Sequence, residues 1–249
     1  DLDEDDLLAF FEQDPNTSVV AMHCEDLKDG RAFATAAKRV AAKKPVIVLK
    51  AGRTSAGAKA AASHTGALAG NDKIYEDVLK QSGVIRARSL RQLLDFARGV
   101  PVLPTPKGEN VLIITGAGGS GVLLSDAVVD NGLSLMAMPK DLDAAFRKFI
   151  PPFGAAGNPV DITGGEPPIT YVNTVKLGLT DDRIHSLILG YWHTIVTPPM
   201  VFAKNMVEIK NEMKAKGSEK PMVASLAGDV EVEEAAEYLE VMRADRRAP

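Results

Sequence analysis

Two side chains and one glycine-rich turn in this chain have surroundings in which chemistry is done. His64 stands in Ala60-Ala61-Ala62-Ser63-His64-Thr65-Gly66-Ala67, with no bulky neighbour. A satisfied core histidine sits on an apolar strand or helix face. This one sits on small residues, which predict an accessible ring on a mobile loop. Neutral imidazole is a good nucleophile near pH 7 if another group fixes its tautomer and balances the developing charge. A carboxylate on the second ring nitrogen does both. Glu25 is the candidate, because it ends the strand-like run before the one that feeds the His64 segment. In a parallel sheet both residues emerge at the same C-terminal edge. By itself Glu25 reads as a solvated loop acid.

The turn is Gly116-Ala117-Gly118-Gly119-Ser120-Gly121, after an apolar run and before a helical one. It fits the dinucleotide pattern G-x-G-x-x-G, with Asp141 about 20 residues on as the ribose-binding acid. It fits equally a tight strand-to-helix turn, or a helix N-terminus whose free N–H groups bind any phosphate. Two other patterns fail. Gly52 to Lys59 misses a P-loop because Ala58 stands where the lysine belongs and Ala60 supplies no hydroxyl. Val122 occupies the last glycine of a nucleophile elbow. His23 and His185 lie in strand-like runs and read as structural. His193 follows Tyr191 and Trp192 at a strand end, where α/β sheets bind ligands, and these three form a weaker candidate substrate surface. No histidines are spaced for zinc, and no metal site is expected.

The elements that must position these groups follow from the apolar rhythm. Of 249 residues 45% are apolar, enough for one large or two medium domains. Five acids in the first six residues precede Leu7, Leu8, Phe10 and Phe11 and predict a short helix, since acids suit a first helical turn. The runs "TSVVAMHC", "KPVIVLKA" and "GVIRA" alternate with helical patterns near 31–43, 71–82 and 89–99. The rhythm restarts after "VPVLPTPKGEN", with "NVLIITGAGG", "LSLMAM", "NPVDIT", "IHSLILGYW" and "KPMVASLAG" each leading into a helix. Strands alternating with helices predict parallel sheets. The expectation is two doubly wound α/β domains, 1–104 and 105–249.

A net charge of −4 with scattered basic residues disfavours a nucleic-acid partner, and no apolar run spans a bilayer. Cys24 is the sole cysteine, so no internal disulfide is available and a reducing, cytoplasmic setting is the default. The first residue is Asp rather than Met, and the chain reads as a piece of a longer protein.

"KPVIVLKAGRTSAGAKAAASHTGALAG" and "YEDVLKQSGVIRARSLRQLLDFA" resemble the second domain of the NDP-forming acyl-CoA synthetases, the succinyl-CoA-synthetase-like superfamily. "NVLIITGAGGSGVLLSDAV" and "NPVDIT" resemble the flavodoxin-like domain that follows it. The resemblance implies two tandem flavodoxin-like domains and a phosphohistidine at His64, steadied by Glu25. Here Asp26 replaces the glycine that usually follows that glutamate. It further implies that Ser63, Thr65, Gly66, Gly118, Gly119, Ser120 and Gly121 hold phosphate, in a turn where Gly116 and Ser120 replace asparagine and proline. The implied reaction is a relay: acyl-CoA and phosphate give an acyl phosphate, the histidine takes the phosphoryl group, and ADP receives it. CoA, ADP or ATP and magnesium would be substrates of the complete enzyme, with no covalently bound cofactor. The resemblance also implies CoA-binding and ATP-grasp domains, in the same chain or a partner subunit, and a homo- or hetero-oligomer. Alone, this stretch is expected to be inactive. A non-catalytic acyl-CoA-sensing module and, on Gly116–Gly121, an NAD-dependent oxidoreductase are the competing readings.

Overall fold

The computed structural model describes residues 2–65 and 71–244, with side chains throughout except at 62, 64, 65 and 241–244. The chain forms two compact units, Asp1–Val102 and Leu103–Pro249, each an α/β domain with its own parallel sheet.

In the first unit α1 (Glu4–Gln13), β1 (Val20–Cys24), α2 (Gly30–Ala41), β2 (Val46–Lys50), α3 (Ser55–Thr65), α4 (Asp72–Gln81), β3 (Ile85–Ala87) and α5 (Leu90–Gly99) follow in order. The strands pair β1-β2-β3, with Val20 opposite Val46 and Ile47 opposite Ile85. Val46, Ile47 and Val48 are all buried, as expected of a central parallel strand covered on both faces. Leu8, Phe33, Val40 and Leu79 from α1, α2 and α4 pack on one face, and Leu93 of α5 on the other. Glu12 fastens α1 to α2 by accepting from Arg39 Nε and Lys43 Nζ, each at 2.5 Å.

α3 departs from the loop expected around His64. Thr54 starts it, its carbonyl accepting from Ala58 N–H at 2.8 Å and its hydroxyl from Gly57 N–H at 3.1 Å. Ala58, Ala60, Ala61 and Ala62 then propagate it, alanine being the best helix former. Small side chains were read as a sign of mobility; here they carry helix propensity.

The second unit contains β4 (Asn110–Thr115), α6 (Gly118–Asp130), β5 (Ser134–Leu135), α7 (Lys140–Phe146), β6 (Val160–Asp161), α8 (Pro168–Thr180), β7 (Ser186–Trp192), α9 (Pro199–Ala215), β8 (Met222–Ala227) and α10 (Val230–Ala244). The order is β5-β4-β7-β8, with β6 also paired to β4 at Ile114 and Thr115. Phe146, Val175, Phe202 and Val232, from α7 to α10, share one core with Leu112 and Leu189. Val128 of α6 covers the other face with Ile113. "LSLMAM" and "NPVDIT" give strands of only two residues. Between their pairings on β4, the Asn158 amide takes the place of a strand. Its Oδ1 accepts from Ile113 N–H at 3.0 Å, and its Nδ2 donates to Val111 O at 2.7 Å and Met136 O at 3.3 Å.

Candidate functional site

Each sheet gathers polar groups at its C-terminal edge, where open α/β sheets bind ligands. In the first unit β1 and β2 end side by side, Cys24 opposite Lys50, and Ala51 N–H donates to Cys24 O at 2.9 Å. Glu25 follows β1, and Gly52 (φ +71°) turns the chain from β2 towards α3. Among the described residues Glu25 Oε2 is buried without a hydrogen-bond partner. An acceptor buried in this way costs free energy unless something is bound to it. His64 falls in the last turn of α3; its side chain and that of Thr65 are not described, and Gly66 lies outside the described residues. Ser63 is exposed and donates its hydroxyl to Ala60 O at 2.8 Å. Burial pushes the Cys24 thiol up to about 11, so it stays protonated and unreactive near neutrality.

Two further side chains at this edge, Tyr75 and Lys50, were not singled out from the sequence, and Asp26 entered only as a replacement for glycine. Tyr75 of α4 donates to Asp26 Oδ1 at 2.7 Å, and the Lys50 ammonium lies 4.5 Å from the Tyr75 ring centroid. The only local signal was Lys50 itself, a charge closing an apolar strand.

In the second unit Thr115 ends β4. Its hydroxyl accepts from Ala117 N–H and donates to Ala117 O, both at 3.0 Å, closing the turn into α6. No glycine of Gly116–Gly121 has positive φ, so close approach rather than backbone conformation selects glycine here. A Cβ on Gly116 would lie 2.7 Å from the Tyr171 hydroxyl, and one on Gly118 would lie 2.9 Å from Asp161 Oδ2. A Cβ on Gly119 would meet nothing within 4 Å. Ala117, the N-cap residue, has no side-chain acceptor. The first-turn N–H groups of Gly118, Gly119 and Ser120 therefore point out from a helix without a side-chain cap, the arrangement that binds anions. Gly121 is corrected: its N–H is spent on Ala117 O at 3.1 Å, and it is buried between Thr115 and Pro159. Beside the turn Thr163 has φ +64°, with its N–H held by Asp161 Oδ1 at 2.9 Å. This non-glycine strain was not read from "NPVDIT".

The other expectations separate. Asp141 grips Arg183 with both oxygens, at 3.1 and 2.8 Å. Arg183 precedes β7, so that acid sits at the opposite end of the parallel sheet from Gly116–Gly121, and the ribose role fails. Tyr191 is corrected as a surface residue: its ring stacks on Phe202 at 4.5 Å and its hydroxyl donates to Thr197 O at 2.6 Å. Burial raises that phenol to about 12. Trp192 is 58% exposed. His193 Nδ1 lies 3.2 Å from Asp229 Oδ1 and its Nε2 lies 3.5 Å from Glu231 Oε2. His185 Nδ1 accepts from Asn110 N–H at 3.1 Å, as a structural histidine should. Among the described residues no helix is long and apolar enough to cross a membrane.

Comparison with known proteins bears on this arrangement directly. The profile of the succinyl-CoA ligase like flavodoxin domain matches residues 1–100, and that of the Ligase-CoA domain matches residues 111–244. The alpha subunit of the ADP-forming acetate–CoA ligase I of Pyrococcus furiosus is 44% identical over 239 residues, 96% of this chain and 51% of that one. The ADP-forming acetate–CoA ligase of Methanocaldococcus jannaschii is 38% identical, over 96% of this chain and 34% of that one. A solved dinucleotide-forming acetyl-coenzyme A synthetase 1 of Ca. Korarchaeum cryptofilum, in complex with phosphate and ADP, superposes with a TM-score of 0.90 at 41% identity. That superposition covers 98% of this chain and 52% of the other. The chain thus spans about half the length, or less, of the relatives it matches. With two family profiles side by side on two parallel-sheet domains, the chain belongs to the Ligase-CoA family, within the succinyl-CoA-synthetase-like superfamily of NDP-forming acyl-CoA synthetases.

Proposed function

We propose that this chain is the phosphoryl-relay portion of an ADP-forming acid–CoA ligase, divided into a phosphohistidine-bearing domain, 1–104, and a second flavodoxin-like ligase domain, 105–249. Phosphate oxygen attacks the thioester carbonyl of acyl-CoA, and CoA leaves as the thiol to give an acyl phosphate. An imidazole nitrogen of His64 then attacks phosphorus. The P–O bond breaks, the P–N bond forms and the acid departs as a carboxylate. ADP oxygen takes the phosphoryl group from the imidazole to make ATP, and the steps reverse for acyl-CoA synthesis. Glu25 holds the remaining ring proton and balances the charge. Ser63 and Thr65 flank the carrier, and the N–H groups of Gly118, Gly119 and Ser120 form a phosphate site of the second unit. Such transfers rest on positioning and charge more than on covalent chemistry.

The observation that carries this reading is the buried Oε2 of Glu25, without a partner among the described residues, at the sheet edge from which the His64 helix departs. Acetate is the acid named for the relatives above, and a small carboxylic acid is the substrate class assigned here. Magnesium enters with the nucleotide. The CoA-binding and nucleotide-binding domains come from the rest of the protein or a partner subunit, in a cytoplasmic oligomer. The test uses the complete enzyme with labelled ATP and magnesium. Acid-labile, base-stable protein label is expected in wild type and absent in His64→Ala. Label that persists in the variant overturns the reading.

A further inference from the structure

The edge of the first sheet holds a polar chain to which the relay assigns no task. Tyr75, in the first turn of α4, reaches across 49 residues to Asp26 Oδ1, which also accepts from Leu27 N–H at 2.9 Å. Lys50 is 8% exposed, and its ammonium takes the face of the Tyr75 ring and Ala51 O at 2.6 Å. A lysine so placed is desolvated, with one carbonyl and one aromatic face in return. An apolar residue would close β2 at lower cost. Burial, reinforced by the Asp26 carboxylate, raises the Tyr75 phenol well above its ordinary range, so the hydroxyl remains a donor throughout neutral pH.

What the chain joins gives it meaning. Asp26 directly follows Glu25, and Ala51 directly precedes the Gly52 turn that launches α3. One ring therefore meets both segments, by its hydroxyl on the Glu25 side and by its face on the α3 side. Asn71, which caps α4 by accepting from Lys73 N–H at 2.9 Å, lies only seven positions beyond His64. The residue after the acid, the turn before the His64 helix and the helix after it thus converge on Tyr75.

We propose that Tyr75 is a positioning residue for phosphoryl transfer: with Lys50 and Asp26 it clamps the Glu25 segment to the turn that launches the His64 helix. This rests on the relay proposed above. It adds that the Glu25 segment and the turn before α3 are held together by a side chain to which the relay gives no chemical role. Supporting groups of this kind must hold a site to within a fraction of an ångström.

The test follows label from magnesium ATP onto the complete enzyme by rapid quench, in wild type, Tyr75→Phe, Asp26→Ala and the double variant, with His64→Ala as control. Tyr75→Phe keeps the ring under Lys50 and removes only the hydrogen bond. It is expected to slow phosphorylation about tenfold, as for a shift of a fraction of an ångström, without changing the ATP concentration for half-maximal rate. Asp26→Ala should slow it similarly, and the double variant should be no slower than the slower single one. Lys50→Met, which keeps the stem and loses the charge, should also slow transfer and gives the same readout if Tyr75→Phe fails to fold. Rates within twofold of wild type in folded Tyr75→Phe or Lys50→Met overturn the proposal, as do effects that multiply in the double variant. Label persisting in His64→Ala removes the relay reading, and the clamp with it. Label lost in His64→Ala but unslowed by Tyr75→Phe removes the clamp alone.

Discussion

Replacing Asn158 by alanine should be among the most damaging single changes in the second unit, although the residue is only partly buried. Its amide serves as a peptide group in the sheet, satisfying Ile113 N–H and Val111 O inside β4. Val111 and Ile113 are 1% and 0% exposed, so bulk solvent does not replace the lost partners directly. Each unsatisfied buried backbone group costs about 1–3 kcal/mol, and with partial access of water the two together come to about 3 kcal/mol. For a domain of about 150 residues that lowers Tm by about 10 °C. Asn158→Asp retains the acceptor for Ile113 N–H but turns a second oxygen towards Val111 O. It should be as destabilising as alanine at pH 7 and recover as acid protonates the carboxyl. Thermal unfolding followed with amide exchange at Ile113 measures both. A Tm change under about 3 °C with the Ile113 amide still protected would refute the view that this side chain acts as a strand.

Gly116→Ala and Gly119→Ala should part company. The first forces a methyl to 2.7 Å from the Tyr171 hydroxyl and should destabilise by about 1–3 kcal/mol in denaturant titration. The second meets open space and should leave or slightly raise stability. On the proposal that the first-turn N–H groups hold phosphate, it should also slow label transfer by about tenfold. Glu212 lies between Lys176 at 2.5 Å and Lys216 at 2.7 Å, and those ammonium groups hold its carboxyl down at about 2. A depressed folded pKa means stability that is present above the ordinary value of 4.5 and lost as pH falls towards 2. Glu212→Gln should therefore flatten the stability–pH curve across that window, and an unchanged slope would contradict the pairing.

The central strands were legible because burial on both faces writes them as unbroken apolar runs, as in "VIVLK" and "VLIIT". Most helices were legible from spacing between turn residues. α3 was not, since alanine and glycine between two turns look alike whether the backbone is loop or helix. β5 and β6 were overestimated because an amide side chain does part of their work, and no pattern rule counts Asn158 as a strand. At the candidate site Glu25 and the glycine turn carry local signals. Tyr75 and Asp26, 49 residues apart, become partners only once parallel pairing brings β1, β2 and the start of α4 to one edge. Asp161 and Thr163 were hidden likewise, their relation to Gly118 being created by β6 docking on β4.

Cys24 has a practical consequence for the next experiments. It is the sole thiol of the chain, packed in the core at 6% exposure and held protonated. Maleimide and haloacetamide dyes should pass it by. A cysteine introduced at exposed Asp130 in one domain, and another at exposed Lys73 in the other, would then be the reactive handles of this chain. A fluorophore pair on them would report the distance between the two domains in the complete protein.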